Sequence, residues 1–567
     1  MNVLLVNTDY SHDLETDQRF QLPLGVLSLA SFIKSKLKEV FVKILDFEFE
    51  KRQGNTFDKA MDCSVKWDMV GINVHYDNFP QALSIAQKIK DLFPNIPVIF
   101  GGVHATACHR EIIQNYSFID GVIRGEGEIP FLMILHNLKT KNPFYCNVQS
   151  LTYRFNNEIV VSDEAELLQL QDLPPTDFSL IPLEAYVKHS DFEKNVWMES
   201  GRGCRFKCRF CASSFRWRFK TRYFSVNKII TDVNFLLKKG IRNIRFTHDQ
   251  FLADVVFAKK ICAALRQHKE HMTWHCYARV DSLTPEMIHT LASSGCASVF
   301  IGFETIAPSL QKKVTKKYAA KKALDVVKMC VDNNISINGN FIFNLPSANE
   351  KTLEKDLNFM LELKHIGANN LQTSYLRLMP GSEFFDKKEW HLLQNMPLSI
   401  IKSNFLKICL KKDRKRLFAF LLKEGEQVFC NIPAKAIREI ASFIIEYFPF
   451  SVSYLKNIRG QKIFDIVKEF YKQNHSFFLK NYADVDLWRK LTRFLFRMIN
   501  RDTILAEILI YEKMISLISF LQGDSKREMM QALDVNSFIK EKKVVFWEHP
   551  KKIEIFSKEQ KIIIKEV

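Results

Sequence analysis

The sequence predicts an α/β protein in which two parallel-sheet regions are followed by a helical region. Three observations lead to this prediction. Short apolar strands alternate with amphipathic helices through residues 1–145, the same alternation returns in residues 195–385, and glycine becomes rare beyond about residue 386. Strands that alternate with helices are typical of parallel sheets. A chain of 567 residues is also too long for one compact core, so several domains are expected.

Residues 1–145 predict a Rossmann-like domain. Its strands are the apolar segments NVLLVN, VFVKILD, MVGINVH and IPVIFGG, and such continuous runs are typical of a parallel sheet covered on both faces. Ligands of these sheets bind at the carboxyl ends of the strands. Gly101 and Gly102 follow one strand, and Gly125 and Gly127 follow GVI. Glycines there either let a bulky ligand approach the backbone or form tight turns.

Residues 146–194 predict a linker, because Pro174 and Pro175 in DLPPTDF disfavour a helix. Six strand–helix units then predict a partial or complete βα barrel of the TIM type over residues 195–385. Several of its helices end at glycine, as helices commonly do. The predicted strands are NVWMES, IRNIRFTHD, TWHCYARV, SVFIGFE, SINGNFIFN and LQTSYLRL.

Residues 386–567 predict a mainly helical C-terminal domain with short strands at its end. Segments such as AKAIREIASFIIEYF and DLWRKLTRFLFRMI have the periodicity of amphipathic or buried helices. We expect this region to cap the mouth of the barrel and to help define the substrate pocket. The alternative is a module that lies on a membrane surface.

The formal net charge of +18 fits binding to nucleic acid, to a membrane surface or to an acidic substrate. No compact Lys/Arg block or aromatic–basic nucleic-acid motif occurs, so lysines that coat amphipathic helices explain the charge better. No signal peptide and no apolar run long enough to span a bilayer is recognisable. We therefore expect a cytoplasmic protein whose 12 cysteines are mostly reduced.

Three of these cysteines form a cluster in SGRGCRFKCRFCASS. Cys204, Cys208 and Cys211 follow the first barrel strand with the spacing C-x3-C-x2-C, and basic residues interleave them. A structural zinc site needs four ligands, and His248 or His275 could complete one. An iron–sulfur cluster also takes cysteine thiolates, and with three of them one iron keeps an open position. Positive charge near the loop stabilises thiolates in either case.

The cysteine spacing, with the aromatic Phe210 before the last cysteine, resembles the radical S-adenosylmethionine (SAM) superfamily. The resemblance implies that Cys204, Cys208 and Cys211 hold a 4Fe–4S cluster. It also implies that S-adenosylmethionine chelates the fourth iron and that reductive cleavage yields a 5′-deoxyadenosyl radical. Zinc remains the alternative.

The resemblance extends over nearly 400 residues. LPLGVLSLASFIK, FGGVHAT and RGEGE resemble the cobalamin-binding-like domain of one large subgroup, and DLPPTDF resembles its linker. IGFET, FIFNLPSANEKTLEK and RLMPGSEFF resemble later barrel-strand motifs. This implies that Glu304 lies near the adenosyl group and that Arg279 and Asp249 contact the methionine moiety or the substrate. An ion pair or a strand-end cap is the alternative role of each.

Cobalamin binding is also implied by the resemblance. The residues that would line its site are Gly101, Gly102, His104, Gly125, Glu126 and Gly127. For His104 a role in turn packing is the alternative. The cobalt-ligating motif D-x-H-x-x-G is missing, because Asp9 and His12 in NTDYSHDLETDQRF are one residue too far apart and no glycine follows. The subgroup often lacks this motif, and we expect His12 to be a surface histidine.

The resemblance thus implies a cobalamin-dependent radical SAM methyltransferase that acts on an unactivated carbon. A radical SAM enzyme that catalyses cyclisation, rearrangement or oxidation is the first alternative, and a zinc-stabilised membrane-surface adaptor is the second. The expected partners are a small-molecule, lipid or peptide substrate and a low-potential donor of the flavodoxin or ferredoxin type. Nucleic acid is not expected, and peripheral membrane contact stays open.

Overall fold

The computed structural model describes two sheet regions and part of the C-terminal region. The described residues are 1–8, 21–189 (without 56, 62–63 and 76–77), 195–386 (without 375, 377–378 and 380), 428–429, 432–449, 460–478, scattered positions up to 498, and two strands within 553–564. The predicted loop with Asp9 and His12 lies outside them.

The first region is a seven-stranded sheet with helices on both faces. Its elements are β1 (Asn2–Asn7), α1 (Leu24–Lys36), β2 (Phe41–Asp46), α2 (Phe47–Arg52), α3 (Phe57–Ala60), β3 (Met69–Asn73), α4 (Phe79–Leu92), β4 (Val98–Gly101), α5 (Val103–Ala107), α6 (His109–Asn115), β5 (Gly121–Ile123), α7 (Glu128–Lys139), β6 (Leu151–Phe155) and β7 (Glu158–Val161). The strand order is β2-β1-β3-β4-β5-β6-β7, and the first five strands are parallel. Chain order reverses between β1 and β3, and ligands of open α/β sheets bind at such a point.

The predicted boundary at residue 145 is wrong for this sheet, which continues to Val161. Strand β6 pairs antiparallel with β5, and β7 pairs antiparallel with β6. Asn156 and Asn157 join them with φ values of 46° and 64°, the left-handed conformation of a two-residue hairpin turn. The remaining linker is fixed to both regions. Asp232 of the barrel accepts hydrogen bonds from the backbone and hydroxyl of Thr176 at 2.9 and 2.8 Å.

The second region is a partial barrel. Its elements are α8 (Leu183–His189), β8 (Asn195–Met198), β9 (Gly201–Arg202), α9 (Ser213–Arg216), β10 (Arg222–Tyr223), α10 (Val226–Lys238), β11 (Asn243–Phe246), α11 (Val255–Leu265), β12 (Thr273–Ala278), α12 (Pro285–Ser293), β13 (Cys296–Glu304), α13 (Pro308–Lys313), α14 (Ala320–Asp332), β14 (Ser336–Ile342), α15 (Glu350–Ile366), β15 (Asn370–Ser374) and α16 (Glu383–Asp386). Six parallel strands form a sheet in the order β8-β11-β12-β13-β14-β15. All six predicted strands are present, and the predicted α/β fold class is confirmed.

The described part of the C-terminal region packs beside the barrel. Its elements are β16 (Val428–Phe429), β17 (Ile432–Pro433), α17 (Ala434–Tyr447), α18 (Ile463–Gln473), α19 (His475–Phe478), β18 (Ile553–Phe556) and β19 (Lys561–Ile564). Buried side chains of α17 and α18, such as Ile440 and Phe470, share one hydrophobic core with the barrel. Glu354 of α15 accepts hydrogen bonds from the backbone of Ile463 and Phe464 at 3.2 and 2.8 Å.

These helices cover the edge strand β15 and the outer helix α15 rather than the mouth of the barrel. Lys364 of α15 pairs with Glu446 of α17 at 3.0 Å, and Thr373 of β15 contacts Ser442. The expectation that residues 386–567 cap the mouth of the barrel stays a prediction, because most of that region lies outside the described residues. Within the described residues, no helix has the length and apolar character needed to cross a membrane.

Candidate active site between the two sheets

A cavity of about 670 Å³ lies between the carboxyl edge of the first sheet and the first two barrel strands. Asn7 and Asn73 line it at the ends of β1 and β3, where the strand order reverses. Cys211 and Asp249 line it from the barrel side. This volume is in the range of small-molecule and cofactor sites. The cavity brings predicted residues from both regions into one space.

The glycine turns form the wall on the side of the first sheet. Nothing lies within 4 Å of the position that a Cβ would take on Gly101 or Gly125, and a Cβ on Gly127 would approach only Leu29, at 3.9 Å. Gly102 differs, because its φ is 99° and a Cβ would come within 2.7 Å of the Val74 carbonyl oxygen. Gly102 is thus required by the turn itself. The other three glycines leave open space that fits a large ring system.

His104 lies away from the cavity, whereas Glu126 lines it and is held by two arginines. His104 is buried, its ring lies 4.5 Å from that of Phe79, and it does not line the cavity. The structure therefore places it in turn packing, the alternative given above. Glu126 is at the cavity wall, but its carboxylate binds Arg202 at 2.9 Å and Arg222 at 2.7 Å. Burial raises the pKa of Glu126, and the two arginines outweigh that effect, so the net pKa lies below its usual range.

The cysteine loop is closed at its base by the two-residue strands β9 and β10, which pair antiparallel. Gly203 has a φ of 93°, and a Cβ there would clash with the Lys220 carbonyl oxygen. A Cβ on Gly201 would lie 2.5 Å from the Arg222 carbonyl oxygen. Both glycines let the two ends of the loop approach each other, so the loop starts from a fixed base.

Cys204, Cys208 and Cys211 are half-buried on this loop and form no disulfide. The Cys211 backbone donates a hydrogen bond to the Cys208 carbonyl oxygen at 3.0 Å. Burial raises the pKa of the Cys204 thiol, so added positive charge is needed to stabilise its thiolate. Within the described residues, no three His, Cys, Asp or Glu side chains are placed to hold a single metal ion. A cubane does not require such convergence, because each thiolate binds a different iron.

The histidines considered for zinc have other partners. The two ring nitrogens of His275 contact the Ser298 hydroxyl at 2.6 Å and the Asn243 side-chain oxygen at 2.7 Å. His248 is buried, and its Nε2 lies 3.2 Å from the Gly203 carbonyl oxygen. Burial lowers the pKa of each histidine to about 4. A set of three thiols without a fourth side-chain ligand on the loop fits the cluster better than a closed zinc site.

Arg279 lies against the cysteine loop. Its Nη1 is 3.8 Å from Cys208 Sγ, and its guanidinium stacks 3.9 Å from the centre of the Phe206 ring. Asp281 binds the same guanidinium at 2.9 and 3.1 Å. This position lets Arg279 supply positive charge at a cysteine. It does not line the cavity.

Asp249 braces the cysteine loop on either side of the three cysteines. It is hydrogen-bonded to the Ser213 side chain, two residues after Cys211, and to the Gly203 backbone, one residue before Cys204. Burial raises the pKa of Asp249, and these bonds together with Arg216 oppose the rise. Asp249 also lines the cavity. The same side chain therefore holds the cysteine loop and forms part of the cavity wall.

Glu304 ends β13 in a strained conformation. Its φ is 62°, and the pairing of β13 with β14 shifts register beside it. Its carboxylate binds Lys316 at 3.0 Å and Asn340 at 3.3 Å. Strained non-glycine residues are concentrated at functional sites. The ion-pair alternative is thus observed, and the strained backbone sets Glu304 apart from an ordinary strand-end residue.

Sequence reasoning missed Thr305 and Asp356, which hold the segment after Glu304. The Thr305 hydroxyl donates to both carboxylate oxygens of Asp356 at 3.0 Å, and the Ile306 backbone donates to Oδ1 at 2.6 Å. Burial raises the pKa of Asp356 to about 7. Thr305 is the last residue of IGFET, but Asp356 is 51 residues away in α15, and no local pattern links the two.

Comparisons with known proteins agree with this architecture. The profile of the radical SAM superfamily matches residues 198–360, and that of the B12 binding domain matches residues 19–135. An uncharacterized methyltransferase of Pyrococcus horikoshii is 28% identical over 382 residues, which are 67% of this chain and 80% of that one. An anaerobic magnesium-protoporphyrin IX monomethyl ester cyclase of Rubrivivax gelatinosus is 26% identical over 371 residues, or 63% and 64% of the two chains.

A solved structure shows the same fold over most of the chain. The cobalamin-dependent S-adenosylmethionine radical enzyme OxsB, solved with aqua-cobalamin and S-adenosylmethionine bound, superimposes with a TM-score of 0.63. The alignment covers 94% of this chain and 84% of that one at 16% identity. At this identity the likeness concerns the fold.

Proposed function

We propose, from the premise that this chain belongs to the radical SAM superfamily and carries a B12-binding domain, that it is a cobalamin-dependent methyltransferase acting on an unactivated carbon. The cavity carries the proposal, because it joins the glycine turns to Cys211 and Asp249. Methyl transfer to a carbon radical requires both cofactors to face one enclosed space. The similarity to an uncharacterized methyltransferase of P. horikoshii, which aligns with two-thirds of this chain, supports methyl transfer.

A bound 4Fe–4S cluster with S-adenosylmethionine would supply radical hydrogen abstraction, and bound cobalamin would supply a methyl carrier. The chain's own residues would hold these groups. We assign Cys204, Cys208 and Cys211 to the cluster. The assignment is supported by three cysteines on one loop that form no disulfide. We assign the wall around Gly101 and Gly125 to cobalamin, because the open space beside these glycines fits a broad ring.

Three polar residues receive positioning roles. We assign Asp249 and Arg279 to the cysteine loop, which they brace through Gly203 and Cys208 respectively. We assign Glu304 to the nucleoside side of S-adenosylmethionine. Its support is the strained backbone at the carboxyl end of a barrel strand, the end at which barrel enzymes bind their ligands.

A radical SAM enzyme also needs an electron donor, and we propose an acidic protein of the flavodoxin or ferredoxin type. Residues 201–222 contain eight Lys or Arg and no Asp or Glu. Arg205, Lys207 and Lys220 of this segment are exposed beside the cysteines. Complementary charge would steer an acidic partner to the part of the surface nearest the cluster.

A reaction without methyl transfer is the second candidate. The specific observation in its favour is the R. gelatinosus cyclase, which aligns with 63% of this chain. The cavity and the cysteine loop fit both reactions, because both begin with the same hydrogen abstraction. The fate of the methyl group distinguishes them.

The test uses the anaerobically reconstituted holoenzyme with methyl-labelled S-adenosylmethionine, a low-potential reductant and fractionated small-molecule, lipid and peptide pools. We expect reductant-dependent release of 5′-deoxyadenosine and label in one product. Label-free product with release of 5′-deoxyadenosine would favour the cyclase-type reaction. A full yield of 5′-deoxyadenosine from the Cys208→Ala variant would contradict the cluster assignment.

A further inference from the structure

A buried ion network joins the RGEGE turn to the base of the cysteine loop. Arg202 binds Glu126 at 2.9 Å, Glu128 at 2.8 Å and the Ser28 hydroxyl of α1 at 2.8 Å. These three partners belong to the first sheet region, whereas Arg202 directly precedes the cysteine loop. A fourth partner, Glu199 at 3.4 Å, belongs to the barrel region. The side chains of Arg202, Glu126 and Glu128 are each at most 7% exposed. Charges buried to this degree require close partners.

Arg202 and Arg222 face each other across the two strands at the base of the loop. Like charges directly opposite each other destabilise a strand pair. Glu126 removes this conflict, since its two carboxylate oxygens bind one arginine each, at 2.9 and 2.7 Å. The Leu168 backbone also donates to Glu126 at 2.9 Å. The two positive charges at the base of the cysteine loop are thus balanced by Glu126 and Glu128 of the other region, and Glu126 is the one that binds both arginines.

The RGEGE turn also forms part of the cavity wall. Gly125 and Gly127 flank Glu126 and line the cavity, where we place cobalamin. A shift of the turn therefore moves the glycine wall and the carboxylate together. Conversely, a disordered cysteine loop leaves Arg202 and Arg222 without a fixed base and loosens their hold on the turn.

We infer that Glu126 is a positioning residue that couples the two cofactor sites, so that a formed cluster favours cobalamin binding and bound cobalamin favours cluster formation. This inference rests on the proposed function, because it needs both cofactors. It requires no residue to touch both of them. Coupling between binding sites is reciprocal, so each cofactor must change the affinity of the other by the same factor.

The experiment measures binding rather than turnover. Hydroxocobalamin is titrated into the full-length chain under anaerobic conditions, before and after cluster reconstitution, and binding is followed by equilibrium dialysis. For the wild type we expect the cluster to tighten binding by at least about fivefold, the lower end of usual coupling factors. For Glu126→Gln we expect this factor to fall towards one, because the amide carries no charge and has one acceptor oxygen, so it cannot bind both arginines.

The matched control is Asp232→Asn, which changes another buried carboxylate with a lysine partner at 2.8 Å. It ties the linker to α10 and lies outside the cavity wall, so the coupling factor should persist. If Glu126→Gln does not fold, Arg222→Gln removes one of the two bonds and should reduce the factor in part.

The outcomes separate the two claims. If the wild-type chain binds both cofactors and neither changes the affinity for the other, the coupling is overturned and the proposed function stands. An unchanged coupling factor in Glu126→Gln, or an equal loss in Asp232→Asn, also overturns the role of Glu126. A wild-type chain that binds no cobalamin overturns both claims.

Discussion

Replacing Gly203 by alanine should impair the ability of the cysteine loop to hold a cluster. Gly203 directly precedes Cys204 and has a φ of 93°. The left-handed conformation alone costs alanine about 1–2 kcal/mol. A Cβ at this position would also clash with the Lys220 carbonyl oxygen and lie 2.8 Å from Trp217 Cβ. Overpacking of this kind adds about 1–3 kcal/mol, so the expected cost is about 2–5 kcal/mol at the base of the loop.

Gly240 provides the matched control. It has a φ of 79°, and nothing lies within 4 Å of the position of its Cβ. Gly240→Ala therefore bears the conformational cost without the clash. The assay is iron and acid-labile sulfide per chain after anaerobic reconstitution, with thermal unfolding of the apo chain as a measure of stability.

We expect Gly240→Ala to bind as much iron as the wild type, with a modest loss of thermal stability. We expect Gly203→Ala to bind less than about half of that iron, because relief of the clash moves the backbone next to Cys204. A Gly203→Ala variant with the iron content and visible spectrum of the wild type would refute the argument that the rigid base of the loop positions the thiols.

Three further predictions follow from the packing and the charges. Truncation after residue 386 should give an aggregated chain on gel filtration, because α17 and α18 bury apolar side chains in the core of the barrel; a soluble, folded fragment would contradict this. Burial raises the pKa of Asp356 to about 7, so the folded chain binds this proton more tightly than the unfolded chain. Stability should therefore fall by about 2 kcal/mol between roughly pH 5.5 and 7, and Asp356→Asn should abolish that slope in thermal unfolding of the apo chain. Charge reversal at Lys207 and Lys220 should slow cluster reduction by flavodoxin about tenfold at low salt but leave reduction by dithionite unchanged; equal rates with flavodoxin would exclude this docking face.

Local sequence patterns were sufficient to identify the elements whose residues are close together in the chain. The continuous apolar strands predicted both parallel sheets, and the spacing of Cys204, Cys208 and Cys211 predicted one loop with three thiols. The glycines of IPVIFGG and RGEGE predicted a wall at the strand ends, and Gly101, Gly125 and Gly127 line the cavity. In each case the periodicity or spacing itself constrains the geometry.

Other features were missed for identifiable reasons. The linker predicted for residues 146–194 contains the strands β6 and β7, although Asn156 and Asn157 between two short alternating segments are a hairpin signal. The position of His104 after two glycines predicts a place at the ligand, but the sequence does not show which way a turn residue points. The partners of Glu126 are 76 and 96 residues away, and only the packed structure brings them together.

The measurement that tests the central claim most directly is a cofactor count on one sample. The full-length chain is reconstituted anaerobically with iron, sulfide and hydroxocobalamin, freed of unbound material by gel filtration, and assayed for iron, zinc and cobalamin. The account predicts about four irons and one cobalamin per chain. It also predicts that joint replacement of Cys204, Cys208 and Cys211 by alanine removes the iron and leaves a chain that still binds cobalamin, with weaker affinity. Stoichiometric zinc that persists through reconstitution, or a chain that retains iron but no cobalamin, would contradict the account.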